Sequence, residues 1–164
     1  MCRLDKFLEF SKTDDALKKR LEALIEWFPV KKGSLLIEEA APADFAVFVL
    51  EGTIEIFRES REGESKFISY SGEGTILGEL GLLTDSSRSA SCRAEKDSYI
   101  GMLSKENLEN IRAKDVELYA CLMKVLASTV AHRLKDLVAK VNELVDKNNV
   151  AVYAANMILE KFHN

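Results

Sequence analysis

Apolar positions change period twice along this chain. Over residues 13–28, TDDALKKRLEALIEWF, the residues Leu17, Leu21, Leu24, Ile25 and Phe28 recur at helical spacing. That spacing predicts a helix capped by Thr13, with Asp14 and Asp15 at the positive end of its dipole. Pro29 marks the change of regime. From Val30 to Ser104 the pattern becomes short apolar runs separated by turn residues. Strands are predicted at Ser34–Glu38, Ala46–Leu50, Thr53–Phe57, Lys66–Ser71, Ser91–Ala94 and Tyr99–Leu103. Glu51-Gly52 and Ser71-Gly72-Glu73-Gly74 read as turns, and Arg58–Ser65 as an exposed hairpin loop. Seven of the eight glycines fall between Gly52 and Gly101. Many short strands joined by glycine turns predict an antiparallel sandwich or barrel rather than a parallel α/β sheet.

After Ser104 there is neither glycine nor proline, so nothing breaks a helix. Ser104 is a plausible N-cap for a helix over Lys105–Arg112. A long helix is expected from about Asp115 to Lys147. Met123, Val130, Leu137 and Leu144 recur every seven residues, with Tyr119 and Leu126 in the alternate seam positions. Arg133 and Lys140 interrupt that second row, and Leu134 and Val141 carry the stripe sideways. At about 1.5 Å per residue such a rod is roughly 50 Å long. It either packs on its own domain or forms a two-helix coiled coil between subunits, and its length and period favour the dimer. The tail Asn148–Asn164 reads as a short amphipathic helix with Val152, Ala155, Ile158, Leu159 and Phe162 on its apolar side. The expected organisation is residues 1–114 as a β-domain with flanking helices, 115–147 as the dimerisation helix and 148–164 as a helical tail.

Composition narrows the function classes. The 164 residues suit one domain, or one domain with an appendage. A formal net charge of −4 argues against nucleic-acid binding as the default, because phosphate binding requires a basic surface. No apolar run is long enough to span a bilayer, and the N-terminus lacks the apolar core of a secretion signal. Cys2, Cys92 and Cys121 form neither a disulfide framework nor a metal-site spacing, and read as reduced thiols in a cytoplasmic protein. A metal-dependent β-roll enzyme would need clustered imidazoles. The two histidines, His132 and His163, both fall in the helical part, so no metal site, no cofactor and no metal-dependent enzyme of this type is expected.

The chemistry lies in residues 77–94, LGELGLLTDSSRSASCRA. Glu79 follows Gly78 among apolar residues, and Arg88 is the only base before Arg93. One short helical turn over Glu79–Leu83 would leave free N–H groups facing an anion, and a guanidinium grips a phosphate through parallel hydrogen bonds. A carboxylate beside a phosphate must serve another part of the ligand, and a sugar hydroxyl is the natural partner. The alternative is a partly buried Glu79–Arg88 ion pair that braces a loop.

The whole stretch decides between these readings. Gly78-Glu79-Leu80, followed after several residues by Arg88-Ser89-Ala90, resembles the phosphate-binding cassette of cyclic-nucleotide-binding domains. The Glu51-Gly52 hairpin and the long helix also fit, so the resemblance covers roughly residues 20–147 and is greatest to the catabolite-activator (CRP/FNR-like) type. It implies a mainly β fold with α: an antiparallel β-roll (jelly roll) with an N-terminal helix and a long C-terminal dimerisation helix. It implies that Glu79 binds a ribose 2′-hydroxyl and Arg88 the cyclic phosphate of cAMP or cGMP. Gly78, Leu80, Ser89 and the backbone near Ala90 would complete the pocket, with Leu77 in its wall.

Two departures from the pattern stand out. The polar pair that reads adenine in the catabolite-activator branch falls here on Leu137 and Val138, which cannot hydrogen-bond a base edge. Leu137 is left to cap the base by apolar contact. Arg133, one turn earlier, either reaches Glu79 or is a solvated helix residue. In addition, the 17 residues after Lys147 are too few for a helix-turn-helix module, and residues 105–164 hold nine Lys or Arg against eight acids. The expectation is therefore a non-enzymatic sensor, dimeric through residues 115–147, that signals to a downstream protein without contacting DNA. The alternative is the N-terminal effector domain of a CRP/FNR-type transcriptional regulator.

Overall fold

The computed structural model describes residues 2–59 and 64–162, with side chains described as far as residue 148. The chain divides into two units, Met1–Thr129 and Val130–Asn164.

Among the described residues of the first unit, eight strands form two four-stranded sheets. They are β1 (Glu26–Val30), β2 (Leu35–Ile37), β3 (Phe45–Glu51), β4 (Thr53–Glu59), β5 (Ser65–Gly72), β6 (Thr75–Leu77), β7 (Ser91–Ala94) and β8 (Ser98–Ser104). The strand orders are β1-β8-β3-β6 and β2-β7-β4-β5, and every pairing is antiparallel. This is the expected jelly roll.

Strand β3 explains how it is held together. Its run FAVFVL is apolar at every position, because both faces of the strand are covered. Val47 and Val49 point into a layer with Ile37, Ile54, Leu77, Cys92, Ala94 and Ile100, contributed by both sheets. Ala46, Phe48 and Leu50 point the other way, against the helices. Those helices are α1 (Asp15–Glu22), α2 (Glu79–Thr84), α3 (Lys105–Lys114) and the start of α4 (Val116–Phe162).

Two expectations at the N-terminal end are corrected. The helix predicted over 13–28 ends at Glu22, and its cap is Asp14, which accepts a hydrogen bond from the Ala16 N–H at 2.8 Å. Glu26–Val30 is a strand instead, pairing from Glu26↔Met102 to Val30↔Ser98. Leu24, Ile25 and Phe28 mimic a helical face, but each packs into the core from a turn or a strand. Pro29 is tolerated because β1 is an edge strand and needs no further partner. Upstream, two 3-10 turns, Arg3–Lys6 and Leu8–Phe10, carry a core contribution that has no sequence period. Leu4, Phe7 and Phe10 are all 0% exposed, and Phe7 stands edge-on to Phe10 and Phe48.

Helix α4 corrects the C-terminal reading. It runs without a break from Val116 to Phe162, so no separate helix begins at Asn148. The side chains that would make the tail amphipathic lie outside the described residues, as do positions 60–63 of the predicted hairpin loop. Within the first unit, Leu118, Leu122, Val125 and Leu126 are buried against the chain's own β-domain, with Tyr119 and Met123 packed beside them. Of the predicted seam residues, Leu126 is therefore buried at home, and Tyr119 and Met123 are partly covered there.

The second unit is helical as far as Phe162. Every residue from Ala131 to Asn148 is exposed, including Leu134, Leu137, Val138, Val141, Leu144 and Val145. Among the described residues no helix is long and apolar enough to cross a membrane.

Candidate functional site

Strand β6 delivers the chain to the site. Leu77 pairs with Val47 and is buried in the layer between the sheets. Gly78 then takes a left-handed backbone (φ +77°), which only glycine adopts without strain, and turns the chain into α2. Glu79, in the first turn, is 1% exposed. Leu80 points outward, while Gly81 and Leu82 face the core. Gly81 lets α2 lie against the 41–45 loop, where an added Cβ would meet the Ala43 Cβ.

Asp85 ends α2 in a second left-handed conformation, and the chain returns through Ser86 and Ser87 to Arg88. The backbone of Arg88 is clamped on both sides. Its N–H donates to the Ala41 oxygen at 3.0 Å, and its oxygen accepts from the Ala40 N–H at 2.9 Å.

The Arg88 side chain is 3% exposed. Nη1 donates to the Gly78 oxygen at 3.1 Å and Nη2 to the Phe45 oxygen at 2.7 Å. The guanidinium lies 4.5 Å from the centroid of the Phe45 ring and 3.6 Å from Asp44 Oδ1. Burial pushes its pKa below the ordinary arginine value, while the charges of Asp44 and Glu79 push the other way. A desolvated cation is costly unless its donors are used. Two carbonyls, a ring face and nearby carboxylates offset that cost, and the guanidinium has more N–H groups than these bonds consume. The remainder can serve an anion.

Arg88 also lines a cleft of about 320 Å³ with Leu35, Leu36, Ile37, Glu38, Ala41, Pro42, Asp44 and Phe45. The structure thus brings together Gly78, Glu79 and Arg88, three of the expected ligand residues. Leu77 supports them from the core, Leu80 and Ser89 are exposed, and Ala90 is partly covered. Arg133 and Leu137 lie on the exposed helix of the second unit. Sequence reasoning missed Asp44 and Phe45. They stand 44 and 43 positions before Arg88, and no local spacing links them to it; only the Pro42–Asp44 turn before an apolar run marks a loop at a strand mouth.

Comparison with known proteins gives the family and the fold. The family model for the cyclic nucleotide-binding domain matches residues 27–115, more than half of the chain. The chain belongs to that family. It is similar to the lysophospholipase NTE1 of Phaeosphaeria nodorum, with 22% identity over 120 residues. That is 73% of this chain but only 8% of that protein, so the chain spans a small part of that relative. Among solved structures it resembles a cyclic nucleotide-binding domain from Methylobacillus flagellatus, with a TM-score of 0.73, 21% identity, and 82% and 75% of the two chains covered. It also resembles the catabolite activator protein of Thermus thermophilus, with a TM-score of 0.67, 23% identity, and 83% and 62% covered. At these identities the structural likeness carries the fold.

Proposed function

We propose that this chain is a cytoplasmic regulatory module that binds cAMP or cGMP, performs no chemistry of its own and signals through α4 to a downstream protein. The observation that carries this reading is the buried Arg88, hydrogen-bonded to the residue that starts α2, with the buried carboxylate of Glu79 in the first turn. A cyclic phosphate has one negative charge, and one guanidinium with donors to spare matches it. Glu79 takes the ribose 2′-hydroxyl. Gly78, Leu80, Ser89 and Ala90 complete the pocket over Leu77, and Arg133 and Leu137 are the residues assigned to the base or lid by resemblance. The unbridged cysteines Cys2, Cys92 and Cys121 suit a reducing compartment.

The module is a homodimer through the helix over residues 115–147. The burial of Leu118, Leu122, Val125 and Leu126 at home leaves the exposed stripe beyond Val130 as the surface available for pairing. The test is thermal unfolding with each nucleotide. A ligand at about 100 times its Kd adds about 2.7 kcal/mol, so Tm rises by several degrees, and Arg88→Ala abolishes the rise. No shift with either nucleotide at millimolar concentration sinks the reading.

A second reading, the effector domain of a CRP/FNR-type transcriptional regulator, is favoured by the likeness to the Thermus thermophilus activator. The length of the intact gene product, with a DNA mobility-shift assay on that product, decides it.

A further inference from the structure

We infer that strand β5, at the open edge of the β2-β7-β4-β5 sheet, is a docking site for an extended acidic segment of another protein, added to the sheet as a further strand. The inference goes beyond the nucleotide reading and stands whether or not a nucleotide binds. Among the described residues β5 pairs with β4 alone, so backbone N–H and C=O groups along its outer edge have no strand partner. The β4–β5 pairing carries a bulge. Ile56 faces Ser69 but Phe57 faces Phe67, which leaves Ile68 as the extra residue. Phe67 and Tyr70 are three apart, and strict alternation would send them to opposite faces. The bulge returns both to the face of their partners Phe57 and Glu55, and their ring centroids lie 4.8 Å apart. That face is the outer one, because Ile54 and Ile56, which alternate with Glu55 and Phe57, point into the layer between the sheets. Phe67, Ile68 and Tyr70 are each about half exposed, an apolar edge open to a partner strand.

Charge selects the occupant. Lys66 is exposed at the start of the apolar run. Arg93 lies over the Phe57 ring, 4.8 Å from its centroid, and Nη2 bonds Glu55 Oε2 at 2.7 Å. In that pair the arginine side chain is 39% exposed and the glutamate 15%; in the Arg58–Glu39 pair the values are 59% and 24%. The acids are more covered than the bases, so this sheet presents positive charge to solvent in a chain of net charge −4. Glu59 and Glu64 sit at the hairpin end, beyond Lys66. A nucleic-acid strand carries a phosphate at every step and would meet Glu39, Glu55, Glu59 and Glu64. A peptide needs only a carboxylate at Lys66 and apolar residues over Phe67 and Tyr70, while Arg58 and Arg93 add attraction at longer range. A second copy would bring its own lysine and bulge to the edge, two features that keep like strands from pairing.

The test is a titration of the full chain, without nucleotide, followed by backbone-amide NMR and hydrogen exchange. The probe is a blocked peptide of alternating glutamate and valine, 8 residues long to match β5. A lysine–valine peptide of the same length and oligo(dT) are titrated beside it. The glutamate peptide is expected to shift the amides of residues 65–72 and to slow their exchange at least about tenfold. Lys66→Glu is expected to weaken its binding at least about tenfold, and so is the double variant Phe67→Ser with Tyr70→Ser. Lys66→Glu changes an exposed side chain, so its Tm should match the unsubstituted chain and its binding decides even if the double variant unfolds. No binding at millimolar peptide, equal affinity for the lysine peptide, or shifts confined to other elements overturns the inference. Oligo(dT) bound at β5 gives the edge to nucleic acid, and protection of β5 that rises with the concentration of the chain alone gives it to a second copy; either result also overturns it.

Discussion

Arg88 Nη1 donates to the carbonyl oxygen of Gly78, the left-handed residue from which α2 starts. The cation assigned to the phosphate and the turn that aims α2 therefore hold each other in place. A ligand that bonds Arg88 bears on the first turn of α2 through one shared residue. Leu82 of that helix packs in the same cluster as Leu108 and Ile111 of α3 and Leu118 and Leu122 of α4. A contiguous apolar path thus leads from the site to the long helix.

Gly78→Ala should damage both binding and folding. A Cβ there would lie 2.4 Å from Arg88 Nη1 and 3.2 Å from Ile37 Cδ1, at a φ of +77°. The left-handed backbone alone costs about 1–2 kcal/mol for an L-residue, and moving Arg88 breaks its bond to the Gly78 oxygen. The expected result is a Tm lower by several degrees and nucleotide affinity weaker by more than about tenfold. Calorimetric titration and thermal unfolding measure both, and wild-type affinity would show that Arg88 does not need this turn.

Ala40→Gly should stabilise the protein. Ala40 sits at φ +64°, a conformation glycine adopts freely, and its N–H holds the Arg88 oxygen. Relief of about 1–2 kcal/mol of backbone strain outweighs the roughly 0.5–1 kcal/mol of extra chain entropy glycine loses. A net gain of about 0.5–1 kcal/mol is expected, read as a Tm increase with binding unchanged. A lower Tm would refute it.

Phe10→Ala should cost about 3–5 kcal/mol, the range for a fully buried phenylalanine. Phe10 is 0% exposed, and the segment carrying it is also tied by ion pairs of Lys18 with Asp5 and of Arg3 with Glu22. Chemical denaturation measures the loss. A cost below about 1 kcal/mol would mean that the N-terminal turns add little to the core.

Stability should fall on the acid side of about pH 4. The Asp115 carboxyl is held below its usual range by its hydrogen bond from Arg20 and then by the Leu118 N–H. Asp97 is held down by Lys31, Asp5 by Lys18 and Asp85 by Lys105. A carboxyl whose pKa is lower in the folded state stabilises above its unfolded value, about 3.9, and that contribution disappears as pH falls through the folded value. Lys18, Lys31 and Lys105 are shifted up, so their contribution is complete below about pH 10.4 and is lost only as pH rises through their folded values. Tm should therefore be flat from about pH 5 to about pH 8, above which the Cys2 thiol, whose pKa burial pushes up, begins to count against the fold. Asp115→Asn should lower that plateau and flatten the acid limb, whereas equal Tm at pH 3 and pH 7 would remove the ion pairs from the account.

Much of this molecule was legible in local pattern, because period and turn chemistry act within a few residues. Six strands and the α3 cap at Ser104 follow from neighbours along the chain, and the resemblance carried by the Gly78–Ala90 stretch points to Glu79 and Arg88 as the ligand residues. The tertiary structure decided what depends on distant partners. It made Glu26–Val30 a strand because β8 pairs with it, against a helical spacing that Leu24, Ile25 and Phe28 only imitate. It set Leu4, Phe7 and Phe10 into the core from aperiodic turns. It placed Asp44 and Phe45 around Arg88, and split α4 into a buried part and an exposed part. Sequence spacing records which residues share a local face. Only the sheet pairing across the roll determines which residues, tens of positions apart, surround a buried charge.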